Sequence, residues 1–236
     1  VEDNPDVQAY LQACLEGQYE IIKAGNGQEG IDKALEIVPD LIISDVMMPE
    51  KDGFELCRYL KKNERTSHIP IVLLTARADE ASRLEGLEGG ADAYLPKPFN
   101  QKELFVRLKK LIELRQRLQA RYQQASPFSL PPEAAFSRED DFIKKVQAQM
   151  KAHLSDETFG VRELAGELAM SRSQVFKKLK ALTGQSIAQY MRNYRLHSAR
   201  QLLENRSLSV SEVAYAVGFR DPAYFSRVFS DAFGAP

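Results

Sequence analysis

The stretch LIISDVMMPEKDGFEL occupies residues 41–56 of the 236-residue chain. It opens on a short, nearly continuous apolar run that stops at Asp45, and its end begins an amphipathic segment of helical length over 53–63. A run of that length, rich in β-branched residues, reads as a strand buried on both faces, the habit of parallel sheets. Outward from it the pattern recurs. YEIIKAG (19–25), IPIVLLTA (69–76) and AYLPKP (93–98) are runs of the same kind, and amphipathic stretches lie near 5–15, 27–37 and 79–89. Strand and helix in alternation predict an open, doubly wound α/β domain. Val1 reads as the last residue of a further strand, which makes five strands in all and places the start of the sequence inside a domain.

In such sheets the functional crevice lies beyond the carboxyl ends of the strands. Glu2 and Asp3 end the first strand, Asp45 ends the third, Thr75 the fourth and Lys97 the fifth. Three carboxylates gathered on one rim raise one another's pKa values unless a cation sits among them. A set of hard oxygen ligands suits Mg²⁺, which keeps several waters and binds substrate phosphate. The ion and Lys97 would neutralise a phosphoryl group arriving at Asp45, a residue type able to form an aspartyl-phosphate. Thr75 would donate its hydroxyl to a phosphoryl oxygen. Lys97-Pro98 is an Xaa-Pro bond open to the cis form, which would fix the lysine's direction. Taken singly, an aspartate at a strand end is an ordinary cap and a Lys-Pro an ordinary turn; the five together carry the reading.

The second half is helical throughout. A helix is expected from about Gln101 to Tyr122, with Leu104, Leu108, Leu111 and Leu118 at seam-like positions interrupted by Arg115; it reads equally as a packing face or as a dimer seam. QQASPFSLPPEAAFSRED (123–140) lacks periodicity and reads as the linker between a first domain, 1–122, and a second, 141–236. Within the second domain VRELAGELAMSRSQVFKKL (161–179) and VSEVAYAVGFRDPAYFSRVF (210–229) form a half-repeat. Ala165 and Ala214 occupy equivalent places where two helices cross, Met170 and Gly218 fall in the turns, and Ser171 and Asp221 suit the N-caps of the following helices, with Pro222 at a first helical position. That order is a helix-turn-helix, present twice. Lys177, Lys178 and Lys180 are expected to give the first recognition helix a cationic side. Between the units, 186–205 is about 30 Å long if wholly helical; a turn of B-DNA is about 34 Å. The two recognition helices could thus occupy successive major grooves. Residues 138–236 hold 15 Lys and Arg against 11 Asp and Glu, a net of +4, while 1–137 hold 17 against 22, a net of −5. An acidic half joined to a basic one places nucleic acid at the basic end.

The motifs VEDN, LIISDVMMPEKDGFEL, PIVLLTA and GADAYLPKPF together resemble the response-regulator receiver family over about 1–122, a flavodoxin-like fold of five parallel strands. The resemblance implies that Glu2 and Asp3 bind Mg²⁺ with Asp45 and the Met47 carbonyl, and that Asp45 accepts phosphate from a histidine kinase. It further implies that Thr75 and Lys97 respond to that phosphate and that Tyr94 is the aromatic switch. SRSQVFKKLKALTGQSIAQYMRNYRLHSARQLL and SVSEVAYAVGFRDPAYFSRVFSDAFG resemble the AraC-type regulators over about 142–236. DNA contacts carried over fall on Arg172, Ser173, Gln174 and Lys177 in the first unit and on Arg220, Asp221, Ala223, Tyr224 and Arg227 in the second. FGAP is shorter than that family's usual ending, so the C-terminus reads as truncated.

Other chemistries find little support. Cys14 and Cys57 lack metal-ligand spacing and read as reduced core residues; His68, His153 and His197 are scattered. No apolar run approaches the roughly 20 residues of a spanning helix, so this segment is expected to be cytoplasmic and to make no membrane contact. The expectation is a non-enzymatic two-component regulator whose Mg²⁺-dependent phosphorylation controls binding to double-stranded DNA, as a homodimer when phosphorylated. A free-standing regulator and the C-terminal part of a hybrid histidine kinase controlling polysaccharide use both fit. A phosphatase of the haloacid dehalogenase type fits poorly, because Asp45 is followed by Val46 and Met47 rather than by an Asp-x-Asp pattern. A phospho-dependent module that does not touch DNA is the remaining alternative.

Overall fold

The chain divides into two units, Val1–Arg117 and Leu118–Pro236. The fold is that of a computed structural model, described for residues 1–76, 90–124, 137–204 and 208–234. In the first unit the elements run α1 (Pro5–Leu15), α2 (Gly27–Ile37), β1 (Ile42–Asp45), α3 (Gly53–Lys62), β2 (Ile71–Thr75), β3 (Ala93–Pro96) and the start of α4 (Gln101–Gln124). Each of the first three helices begins on a side chain that takes up orphan N–H groups: Asn4 for α1, Asn26 for α2 and Asp52, within a capping box, for α3.

The strands are parallel in the order β1-β2-β3, with Ile42 opposite Ile71, Asp45 opposite Leu74 and Thr75 opposite Pro96. Alternate side chains of β2 leave on opposite faces. Ile71 and Leu73 join Ile31, Ala34, Leu56, Cys57 and Leu60, so α2 and α3 cover one face. Val72 and Leu74 join Leu11, Cys14, Leu15, Leu104, Leu108 and Leu111, so α1 and α4 cover the other. The doubly wound α/β layering expected from the sequence is therefore present.

On the edge of β1 away from β2, Val1 N donates to Ile43 O at 2.7 Å and Asp45 N donates to Val1 O at 2.9 Å, while Glu2 N donates to Ala24 O at 3.0 Å. The first residues thus occupy the strand position between β1 and the 19–25 run. That run itself has no regular secondary structure, because a ladder needs successive pairs and Glu2–Ala24 supplies one; Tyr19 and Ile22 are exposed. The helix expected near 79–89 lies outside the described residues. The leucines of α4 divide between two cores, Leu104, Leu108 and Leu111 in the first unit and Leu118 in the second. They form packing faces rather than a seam.

The second unit starts inside α4 and continues with α5 (Ser137–Ala152), α6 (Val161–Glu167), α7 (Arg172–Thr183), α8 (Ile187–Glu204), α9 (Val210–Ala216) and α10 (Pro222–Phe233). The interval 123–140, expected as linker, is helical at both ends, through Gln124 and from Ser137. The reason is Asp140, 3% exposed, whose carboxylate takes Arg121 and the Tyr122 hydroxyl. α6–α7 and α9–α10 are the two helix-turn-helix units. Their turns superpose in sequence at a shift of 49: Met170 N donates to Ala165 O and Phe219 N to Ala214 O, and the left-handed residues are Ala169 (φ 50°) and Gly218 (φ 78°). The left-handed residue of the first turn is therefore Ala169, one position before Met170. The helix α8 serves both units, its first half packing with Phe142, Val175 and Leu179, its second with Val213, Phe225 and Phe229.

Candidate functional site

β1 and β2 end side by side, and the chain leaves each of them at the same rim of the sheet. There the carboxylate oxygens of Glu2, Asp3 and Asp45 lie within 4.8 Å of one another. Glu2 is 2% and Asp45 7% exposed, whereas Asp3 is open to solvent. Lys97, just past β3, reaches both buried carboxylates, with Nζ 2.9 Å from Glu2 Oε2 and 2.9 Å from Asp45 Oδ2. Its backbone N–H donates to Thr75 O at 2.6 Å, which holds the ends of β2 and β3 together. Burial pulls the Lys97 ammonium down, but the hydrogen bonds and charges of Glu2 and Asp45 outweigh it and leave the pKa raised. Asp45 is held from the other side, its Oδ1 accepting from Val46 N at 2.8 Å. Asn4 N donates to Glu2 Oε1 at 3.2 Å, and the Gln8 amide donates to Glu2 O.

Three carboxylates against one ammonium leave the rim with excess negative charge. Two of the three are mostly out of water, where uncompensated charge is costly. An oxygen-only donor set of this charge fits a hard divalent cation such as Mg²⁺. All five residues read from the strand ends are at the rim: Thr75 is buried at the end of β2, and the Lys97-Pro98 bond is cis. Met47 follows β1 with its side chain exposed. Tyr94 lies on β3, half-buried against the core of α2 and α3. Its hydroxyl is buried and makes no hydrogen bond among the described residues, and burial, with Cys57 and Asp92 behind it, pushes the phenol up. A residue not singled out from the sequence is Gly53. A Cβ there would stand 2.1 Å from Asp45 O, so only glycine lets α3 start against the end of β1.

In the second unit α7 opens on Ser171, whose hydroxyl accepts from Gln174 N while Gln174 caps back. Arg172 and Ser173 are exposed, and Gln174 and Lys177 are half-exposed, on a helix whose Val175 and Leu179 are buried. Lys178 departs from expectation. It is fully buried, with Nζ 4.5 Å from the centre of the Phe142 ring. The exposed cationic side of α7 is therefore Arg172, Lys177 and Lys180, and Lys178 belongs to the core. α10 opens on Asp221, which accepts from Ala223 N at 2.9 Å. Arg220, Asp221, Ala223, Tyr224 and Arg227 are all exposed, with the Arg227 guanidinium 5.4 Å from the Tyr224 ring centre and Arg220 paired to Glu157 at 3.3 Å. These residues line a cleft of about 810 Å³ that also takes in Arg192 and Arg195 from α8. Arg195 was not foreseen. It donates to Gly218 O at 3.1 Å and to Asp156 O at 2.7 Å, which ties the second turn to the α5–α6 connection. Nothing local in the sequence marks it, since its partners lie 23 and 39 positions away. No described helix is long and apolar enough to cross a membrane.

Comparison with known proteins follows the same division. Residues 1–109 match the response regulator receiver domain and residues 164–236 a helix-turn-helix domain of the AraC type. Over 234 residues, 99% of this chain, the sequence is 40% identical to a protein of Formosa agariphila named histidine kinase P4, of which it spans 17%. Over 113 residues it is 42% identical to the transcriptional regulatory protein ResD of Bacillus subtilis, of which it spans 46%. Among solved structures, a receiver domain of a signal transduction histidine kinase from Syntrophus aciditrophicus is 39% identical with a TM-score of 0.47, covering 50% of this chain and 89% of its own. A Pseudomonas aeruginosa receiver domain with magnesium in its active-site cleft is 32% identical with a TM-score of 0.45, covering 48% of this chain and 93% of its own. By its sequence matches, the chain joins a response regulator receiver domain to an AraC-type helix-turn-helix domain of two-component signalling.

Proposed function

We propose that phosphorylation of Asp45 controls sequence-specific binding of the second unit to double-stranded DNA. The observation that carries this reading is the rim itself, where Glu2, Asp3 and Asp45 converge and Lys97 pairs with two of them. Mg²⁺, held by Glu2, Asp3, Asp45 and the Met47 carbonyl, would supply the positive charge that a transferring phosphoryl group requires. The residues of the chain do the rest. Asp45 Oδ2 attacks phosphorus, and the phosphodonor, a histidine kinase, leaves as the bond to its nitrogen breaks. Lys97 exchanges its pairing with Asp45 for a phosphoryl oxygen. Thr75 donates its hydroxyl to another oxygen, and Tyr94 fills the space that its movement opens. The protein itself is no enzyme in this reading, and it acts in the cytoplasm.

Labelling by acetyl phosphate with Mg²⁺ tests the assignment. Asp45→Asn is expected to abolish it, and Glu2→Gln with Asp3→Asn to reduce it severely. Undiminished labelling of Asp45→Asn, or wild-type labelling in the presence of EDTA, would overturn it.

One observation favours a hybrid over a free-standing regulator. The Formosa agariphila protein that matches this chain across both units is named a histidine kinase and is several times longer. In that setting the phosphodonor would be a kinase domain of the same polypeptide, and polysaccharide use the process controlled.

A further inference from the structure

The last turns of α4 end against the first recognition helix. Gln119 Nε2 donates to Ala181 O at 3.1 Å and to Lys180 O at 3.3 Å, and Gln123 Nε2 donates to Thr183 O at 2.9 Å. These three carbonyls belong to the C-terminal turn of α7, where helix geometry leaves acceptors such as Ala181 O and Thr183 O without intrahelical partners, while Lys180 O also accepts from Gly184 N at 2.8 Å. The glutamines are themselves fixed. Leu118 and Tyr122 pack into the core around Phe142, Val175 and Leu179. Between the two glutamines, Arg121 forms a fork with Asp140, with nitrogen–oxygen distances of 2.6 and 2.9 Å, and the Tyr122 hydroxyl donates to the same carboxylate at 2.7 Å. Gln119, Arg121, Tyr122, Gln123 and Asp140 all lie upstream of residues 164–236, the part that matches the helix-turn-helix domain.

Resting on the reading that α7 enters DNA, we infer that residues 118–124 are a positioning element for the first recognition helix: Gln119 and Gln123 hold its C-terminal carbonyls, and the Arg121–Asp140 fork holds the glutamines. None of these side chains touches DNA. They act on where α7, with Arg172, Ser173, Gln174 and Lys177, points. A helix held only at its N-cap and along one packed face can still pivot, and a small displacement is enough to misalign side chains that read base edges. α4 is unbroken from Gln101 to Gln124, so the same helix packs Leu104 and Leu108 in the receiver core and supplies this element.

The test uses the full chain and a duplex that the wild-type chain selects from random sequence. Gln119→Ala with Gln123→Ala removes donors and little packing, and is expected to raise Kd roughly tenfold by loss of three charge-free hydrogen bonds. Hydroxyl-radical protection should weaken over the half of the site contacted by α7 and persist over the half contacted by α10. The same pair of changes should cost as much in an Arg227→Ala background and clearly less in a Lys177→Ala background. Gln119→Lys, which restores a donor toward helix carbonyls, should recover part of the loss. Equal weakening of both halves, equal cost in both backgrounds, or unchanged Kd would overturn the positioning role while leaving DNA binding intact. Failure of the wild-type chain to select any duplex would instead overturn the DNA reading on which it rests.

Discussion

At the scale of single residues, Gly53 sets how closely α3 approaches the end of β1. Its N–H donates to Val46 O at 2.9 Å, and an added Cβ would meet Asp45 O at 2.1 Å and Val46 Cα at 2.9 Å. Both are backbone atoms with little freedom to give way. Gly53→Ala is therefore expected to lower stability by about 1–3 kcal/mol, read as a shift of the denaturant midpoint at constant slope. Labelling of Asp45 should slow as well, because the atom most closely met is that residue's own carbonyl oxygen. A variant with wild-type midpoint and labelling rate would show that the strand end yields freely. His197 offers a test in pH. It is half-buried with its ring edge-on to Phe233 at 5.3 Å, and burial, followed by the charge of Arg200, depresses its pKa. A base depressed in the folded state binds fewer protons there than in the unfolded chain, so stability falls as pH drops through the ordinary histidine range. His197→Gln should flatten the stability profile between about pH 7.5 and 5.5. An unaltered profile would assign the dependence to another group.

Among the elements, α7 shows why a charge run cannot be read as a face. Lys177 and Lys178 are adjacent in sequence, and one residue of helix turns a side chain by about 100°. Lys177 stays at the surface, whereas Lys178 swings into the core beside Phe142. The two should separate cleanly by experiment. Lys177→Ala is expected to make the salt dependence of DNA affinity shallower by about one charge and to leave the melting temperature near wild type. Lys178→Ala should do the reverse, costing about 1–3 kcal/mol of stability with the salt slope unchanged. Equal slopes in both variants would place Lys177 away from DNA. The two helix-turn-helix units also repeat more faithfully in backbone than in sequence. The same turn hydrogen bonds recur 49 residues apart, yet the left-handed position is alanine in one and glycine in the other. Glycine is needed in the second, where a Cβ on Gly218 would meet Leu154 O at 2.6 Å.

On the scale of the whole molecule, the proposed function requires phosphate on one unit to change binding by the other. The Tyr94 hydroxyl is buried and has no hydrogen-bond partner among the described residues, which suits a side chain that changes place. Beryllofluoride or acetyl phosphate is expected to raise affinity for a two-site duplex much more than for a half-site, through a dimer that brings two DNA-binding units together, and Tyr94→Ala should weaken that gain. Equal enhancement on both duplexes without a change in sedimentation would eliminate dimerisation as the switch. From the sequence alone the strands at 42–45, 71–75 and 93–96 were legible, and hence the rim, although the run at 19–25 also read as a strand and forms no ladder: in a parallel sheet the strand ends share one edge, so Glu2, Asp3, Asp45, Thr75 and Lys97 could be assembled from their positions in the sequence. The sequence determined the doubled helix-turn-helix as well, since apolar spacing, N-caps and turn residues are local signals. Only the tertiary structure decided that Lys178 faces inward, that Asp140 anchors Arg121 and Tyr122, that Arg195 ties down the Gly218 turn, and that the end of α4 belongs with α7. In each of these a polar group is satisfied by partners from other elements, 18 to 62 positions away for the hydrogen-bonded ones, and no local pattern encodes which distant partner will meet it.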